Sequence, residues 1–138
     1  RGNDYSYLNT GSPHYVKFSD DPDKVDVITE GRKIRYSDRF REEGTNVNFI
    51  SFKNENIYIR TYERGVENET LSCGTGAVAS VLAVADKGWL NEKKKGSLVT
   101  KGGNLVVSFE KTNDGFENVF LEGPATFVFD GEIEIENS

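Results

Sequence analysis

Apolar and polar positions alternate through most of the chain, with β-branched and aromatic residues enriched, which is the pattern of half-buried strands. Tyr5 to Leu8 and His14 to Phe18 read as short strands. Asn46 to Phe52 and Asn56 to Tyr62, parted by the polar turn Lys53-Asn54-Glu55, predict a hairpin. Leu98 to Lys101, Leu105 to Glu110, Glu117 to Leu121 and Thr126 to Phe129 predict further strands, with turn signals at Gly102-Gly103 and Asn113-Asp114-Gly115. Asp130-Gly131 precedes a last alternating stretch, Glu132 to Glu136. Two helices interrupt this pattern. One is expected over Asp23 to about Gly31, with Val25 and Ile28 on one side. The other runs from about Gly74 to Lys87 and is apolar almost all round from Ala77 to Ala85. A helix without a polar face is buried on every side, so this one predicts a central core helix wrapped by strands. Gly88 is placed to end it, with Trp89 and Leu90 packing back.

Composition narrows the picture. The chain has 138 residues, 36% hydrophobic and 29% charged, with a net charge of −6. That fits a single domain, 1–138, which buries roughly two thirds of the surface its unfolded chain exposes. A negative chain argues against a nucleic-acid surface, and no run of 18 apolar residues predicts a membrane span. One cysteine and one histidine exclude an internal disulfide framework and a cysteine-rich zinc site. A reduced, cytoplasmic setting is the default. The chain opens on Arg1-Gly2-Asn3, has no Met and carries no signal-peptide pattern, so a trimmed chain or one domain of a longer protein is expected.

The chemistry-bearing stretch runs from Tyr62 to Ala77, out of a strand, through a polar loop and into the apolar helix. Cys73 falls at or just before the helix N-terminus, where unpaired N–H groups and the helix dipole favour the thiolate. Gly74, Thr75 and Gly76 offer backbone donors for a carboxylate or phosphate, although no P-loop signature follows them. Bland readings stand beside these. A lone Cys is usually a small buried hydrophobe, Glu63-Arg64 reads as a surface ion pair, and His14 reads as a satisfied turn histidine. Lys93-Lys94-Lys95 reads as a solvated loop, and Asn68-Glu69-Thr70 as a glycosylation acceptor without other signs of secretion. The residues alone do not choose a reaction.

Five blocks, in order, resemble the second half of the diaminopimelate epimerase family. They are Gly11-Ser12-Pro13-His14-Tyr15-Val16, Gly31-Arg32-Lys33-Ile34-Arg35 with Phe40, Thr45-Asn46-Val47-Asn48-Phe49, Tyr62 to Gly65 with Glu69-Thr70 and Ser72 to Ala77, and Leu121 to Ala125. The resemblance implies an α+β fold, one half of a pseudo-symmetric pair, with a mixed, barrel-like β-sheet shell around one central helix. It implies interconversion of LL- and meso-diaminopimelate without metal, pyridoxal phosphate or other cofactor, in lysine and peptidoglycan precursor synthesis. Such an inversion needs a base on one face of the α-carbon and a proton donor on the other, and a thiolate and a thiol supply both. On this resemblance Cys73 is one catalytic thiol, and the second belongs to a missing N-terminal domain. The isolated domain is therefore expected to be inactive.

The resemblance also implies that Glu63 and His14 form a dyad tuning the thiols. Arg64 would pair with the distal carboxylate, Asn46 would fix the distal end, and Gly74 and Thr75 would bind the carboxylate at the reacting carbon. Ser12 stands where many members have Asn, and Thr75 where Ser is common. A homodimer of the full-length protein stays open. Three alternatives remain: a related two-thiol racemase of the proline or hydroxyproline type, a cysteine nucleophile acting through a covalent intermediate, and a non-catalytic binding module. A proline substrate has no distal carboxylate, so Arg64 discriminates among the racemases.

Overall fold

The computed structural model describes residues 5–71, 74–123 and 133–137. Its centre is helix α2 (Gly74–Asp86), ten of whose thirteen residues, Gly76 to Ala85, are buried. Strands β1 (Tyr5–Asn9), β2 (Pro13–Phe18), β3 (Asn46–Lys53), β4 (Asn56–Glu63), β5 (Asn68–Thr70), β6 (Lys95–Thr100), β7 (Gly103–Lys111), β8 (Gly115–Glu122) and β9 (Ile133–Asn137) surround it. They form one sheet in the order β3-β2-β1-β9-β8-β7-β6-β4-β5. Because β3 also pairs with β4, eight strands close into a ring and β5 hangs from β4 outside it. The β2–β3 and β4–β6 ladders are parallel and the others antiparallel. This is the central helix wrapped by strands that the hydrophobic pattern predicts, in the mixed, barrel-like form that the family resemblance implies. Among the described residues, no helix is long and apolar enough to cross a membrane.

Two cores follow from the two faces of β3, whose residues 46–51 are all buried. Ile50 points inward with Val16, Ile57, Ile59 and the α2 side chains. Val47 and Phe49 point outward and pack with Tyr62 under helix α1 (Val27–Arg35). Period two then puts Asn46 and Asn48 on the inward face with Ile50, although both are polar. The hairpin forms as predicted, with Lys53 opposite Asn56. Its two loop residues, Asn54 (φ 52°) and Glu55 (φ 64°), have the positive φ of a type I′ turn. Helix α2 ends in a Schellman motif: Trp89 N–H donates to Val84 O (3.3 Å) and Gly88 N–H to Ala85 O (2.9 Å), with Gly88 at φ +81°.

The first helix differs from expectation. Pro22–Lys24 form a short 3-10 turn, and α1 starts only at Val27, where the Asp26 carboxylate accepts from Thr29 N–H. Its inward residues are Val27 and Gly31, while Ile28 is exposed. Gly31 decides this: a Cβ there would lie 2.6 Å from Tyr62 Cβ, so the helix backbone sits directly on that ring. Strand β5 formed within the expected loop, held by β4 and by Glu69 on Arg60 (2.6 and 2.7 Å). Strand β6 begins early at Lys95, because Gly96 lets it approach Val81 of α2. Leu90 packs back as expected, whereas Trp89 remains half exposed against Phe18 and Phe52. The expected strand Thr126–Phe129 and the turn Asp130-Gly131 lie outside the described residues.

Candidate functional site

Among the described residues, a network of polar side chains gathers at the N-terminal end of α2. The β1–β2 turn, the start of β3, the end of β4 and the first turn of α2 all meet there. Cys73 itself lies outside the described residues, immediately before Gly74. The first N–H groups of α2 have no carbonyl four residues back within the helix, which leaves them for a ligand or cap.

His14 is the hub. It sits in β2, fully buried, and is not the turn residue of the simplest sequence reading. Its Nε2 lies 2.8 Å from Thr75 Oγ1 and 3.2 Å from Ser12 Oγ, and Ser12 Oγ lies 3.1 Å from Thr75 Oγ1. On the other side of the ring, Nδ1 lies 2.9 Å from the Asn48 amide nitrogen. Thr61 donates its hydroxyl to Asn48 Oδ1 at 2.8 Å. Burial, with the positive charge of Arg64 adding to it, pushes the imidazole pKa from 6.5 down to about 3. His14 is therefore a neutral ring at any ordinary pH.

Asn46 organises the rim. Its Nδ2 donates to Pro13 O (3.0 Å) and Ser12 Oγ (3.3 Å), while its Oδ1 accepts the Arg64 N–H (2.7 Å). Thr10 donates to Thr75 O at 2.8 Å and ties the β1–β2 turn to α2. Arg64 reaches Glu43 O at 2.8 Å and makes no ion pair among the described residues. The neighbouring Arg35 differs, because its charge is matched by Glu67 at 3.1 Å. Burial acts to raise the Glu67 pKa, but the Gly65 N–H, Tyr62 and Arg35 bonds outweigh it and hold the carboxylate below its usual range. Both arginines converge on Gly44, where φ is +82° and a Cβ would lie 2.7 Å from Arg64 Cδ. Any side chain at that position would displace the loop that presents Arg64.

The structure thus brings together Ser12, His14, Asn46, Arg64 and Thr75 beside Gly74, the residue that follows Cys73 in the sequence. Glu63 ends β4 on the same face as Thr61, but no hydrogen bond or ion pair joins its carboxylate to His14 or Arg64 among the described residues. The expected surface pair with Arg64 is not formed there. Sequence reasoning missed Asn48, Thr61 and Thr10. The available signal for Asn48 was its place between Asn46 and the apolar Ile50, on the inward face of a buried strand.

The family of diaminopimelate epimerase matches residues 6–128. Diaminopimelate epimerase of Flavobacterium psychrophilum is 50% identical over 130 residues, covering 94% of this chain and 50% of the relative. That of Methanocella arvoryzae is 41% identical, covering 99% of this chain and 46% of the relative. The chain thus spans about half the length of the curated relatives it matches. Among solved structures, a predicted epimerase of Pseudomonas aeruginosa shares the fold at a TM-score of 0.59 and 16% identity, covering 85% of this chain and 41% of that one. A hydroxyproline epimerase of Agrobacterium vitis does so at 0.58 and 12%, covering 87% and 42%. The match across nearly the whole barrel, together with a polar cluster at the mouth of its central helix, establishes that the chain belongs to the diaminopimelate epimerase family.

Proposed function

We propose that this chain is the C-terminal half of a cytoplasmic, cofactor-independent epimerase that interconverts LL- and meso-diaminopimelate, with Cys73 as one of two catalytic thiols. The observation that carries the reading is Arg64, a cation without an acidic partner among the described residues, held at the rim of a helix N-terminus that directly follows Cys73. Those are two groups suited to anions, and the helix end is the one that Cys73 precedes in the sequence. A planar guanidinium suits the distal carboxylate by a two-point contact. The N–H groups of Gly74 and Thr75 suit the carboxylate at the reacting carbon, where donors aimed at developing carbanion charge lower the barrier.

The reaction balances with two thiols. A thiolate on one face removes the α-proton and becomes a thiol. A thiol on the other face gives its proton to the carbanion and becomes a thiolate. The pair ends with its protonation states exchanged, and the roles swap in the reverse direction. Cys73 is the single cysteine of this chain, so the partner thiol belongs to another half. Val66 (55% exposed), within the Arg64 loop, and Leu71 (68%), just past β5, offer apolar surface for that half to cover. The chain alone is expected to lack turnover. Ser12 and Asn46 position the substrate end and its loop. His14, as a neutral ring, acts through hydrogen bonding, and Glu63 completes the polar environment of the thiol.

The test uses the full-length protein in deuterated water with LL-diaminopimelate. Deuterium uptake at the α-carbon with formation of the meso product, abolished by Cys73→Ala, is the expected result. Uptake from proline or hydroxyproline instead would move the assignment to the related racemases. A trapped acyl-enzyme on Cys73 would replace proton transfer by nucleophilic catalysis. Ligand binding without exchange would leave a binding module.

A further inference from the structure

Asn48 is buried on the inward face of β3, touches no solvent and lies behind His14 as seen from the mouth of the site. All its polar capacity is directed. Its oxygen accepts the Thr61 hydroxyl (2.8 Å), and its nitrogen faces His14 Nδ1 (2.9 Å) and Tyr15 O (3.5 Å). Turning the amide over would set its oxygen against the Tyr15 carbonyl, with no donor between them. The orientation is therefore fixed by its surroundings, and the Asn48 N–H is the donor to Nδ1.

We propose that Asn48 is a positioning residue that locks His14 in the Nε2–H tautomer and thereby sets the direction of a hydrogen-bond chain ending at the site. With Nδ1 occupied as an acceptor, the single proton of the neutral ring must sit on Nε2, where it points at Thr75 Oγ1. The Thr75 hydroxyl then has Ser12 Oγ as an acceptor, and Ser12 also takes an N–H from Asn46. Every donor, from Thr61 through Asn48, His14 and Thr75 to Ser12, points toward the mouth of α2. Among the described residues no further acceptor takes the last hydroxyl proton, that of Ser12, which is left for whatever binds there. A chain polarised in this sense suits an anionic acceptor such as a carboxylate oxygen and disfavours a donor such as an ammonium group. His14 is surrounded on its other sides by Gly76, which a Cβ would bring to 3.1 Å from its ring, and by the charge of Arg64. The tautomer follows from these contacts alone; only its consequence for the substrate carboxylate rests on the epimerase reading.

His14 is the sole histidine of the chain, so its imidazole signals need no assignment. Long-range proton–nitrogen spectra of the 15N-labelled 138-residue chain separate the two tautomers directly. The expected spectrum shows a protonated Nε2 and a bare Nδ1, unchanged over about pH 5 to 8, the range where an ordinary histidine titrates. An Nδ1–H ring, or an averaged pair of nitrogens, overturns the proposal. In Asn48→Asp the carboxylate accepts where the amide donated, so the proton is expected to move to Nδ1 and the protonation midpoint to rise. Retention of Nε2–H in that folded variant also overturns it, and the wild-type spectrum decides the matter if the variant does not fold. A wild-type Nε2–H ring in a protein that exchanges no α-proton would break the epimerase reading and leave the tautomer assignment standing.

Discussion

Thr75 Oγ1 lies 2.8 Å from His14 Nε2, so the first turn of the central helix is fastened to strand β2 by one hydrogen bond spanning 61 residues of sequence. Thr75→Val keeps the shape and removes the oxygen. It leaves the buried Nε2–H with Ser12 Oγ, 3.2 Å away, as its remaining partner among the described residues. Leaving a buried donor poorly satisfied costs about 1–3 kcal/mol, and the lower part of that range applies where a second acceptor stands by. Thr75→Ser restores the hydroxyl and is expected to stay within about 0.5 kcal/mol of wild type. Urea denaturation of the two variants measures the difference. Equal stability of Thr75→Val and wild type would show that the bond contributes nothing net.

Gly76 follows Thr75 and looks like half of an anion-binding Gly-Thr-Gly. Its structural duty lies on the opposite side of the helix: a Cβ would meet Asn48 Oδ1 at 2.7 Å and His14 Cε1 at 3.1 Å. In an exposed helix, Gly→Ala stabilises by about 1 kcal/mol. Here the added methyl must push apart a buried, hydrogen-bonded pair, which costs about 1–3 kcal/mol. The net sign of Gly76→Ala is expected to be destabilising, with disturbed His14 nitrogen signals. A higher melting temperature than wild type would refute the close approach.

The pH dependence of stability carries the signature of His14. In the folded chain its pKa lies near 3, while the unfolded chain has the ordinary value of 6.5. Between those values the unfolded state binds the proton and the folded state does not, so stability rises with pH across that window. The full contribution is present above 6.5 and is lost as the pH falls toward 3. The slope for one proton is at most about 1.4 kcal/mol per pH unit. Carboxylates add their own slope, so the informative quantity is the difference between wild type and His14→Gln. The variant is expected to lose less stability than wild type between pH 6.5 and 4.5. Parallel curves would place a protonatable, solvated imidazole at this position.

Outside the site, Arg60 and Glu69 form a two-point pair (2.6 and 2.7 Å), both side chains largely buried. Arg60 also holds Pro22 O and Val25 O, which fixes the 3-10 turn to β4. The Arg60 bonds, more than the opposing effect of burial, draw the Glu69 pKa below its usual value. Glu69→Ala leaves the guanidinium without its carboxylate and is expected to destabilise by about 3 kcal/mol, the lower end for breaking a buried pair, since both side chains keep some exposure. Thermal melts of Glu69→Ala beside Glu69→Gln separate lost charge from lost hydrogen bonding.

The central helix and the strands around it were legible because burial on all sides and alternation leave direct marks on the sequence: Ala77 to Ala85 for the helix, Asn46 to Phe52 with Asn56 to Tyr62 for the hairpin. Gly31 and Gly96 were not legible as contact points, since a glycine that admits a neighbour looks the same in sequence as one that ends an element. The site was legible where its residues stand in a contiguous loop, as Arg64 does before Cys73. Asn48 was hidden because a polar side chain inside an apolar strand is interpretable only once its partners, His14 and Thr61, are known to face it.

Arg64 carries two separable effects. Its charge helps hold the His14 pKa down, though less than burial does, and its guanidinium, without an ion pair among the described residues, is the proposed distal-carboxylate partner. Arg64→Gln is expected to raise the His14 pKa from about 3 while leaving it well below 6.5. In the full-length protein the same change is expected to lower kcat/KM for diaminopimelate by about 10- to 150-fold, from loss of a charged hydrogen bond worth about 1.5–3 kcal/mol. Arg64→Lys keeps the charge and loses the planar fork. It is expected to restore the His14 pKa and recover kcat/KM only in part. If Lys recovers both fully, the residue acts as a charge alone. If Gln shifts the imidazole and leaves kcat/KM unchanged, Arg64 does not touch substrate, and the case for diaminopimelate over a substrate with a single carboxylate loses its main support.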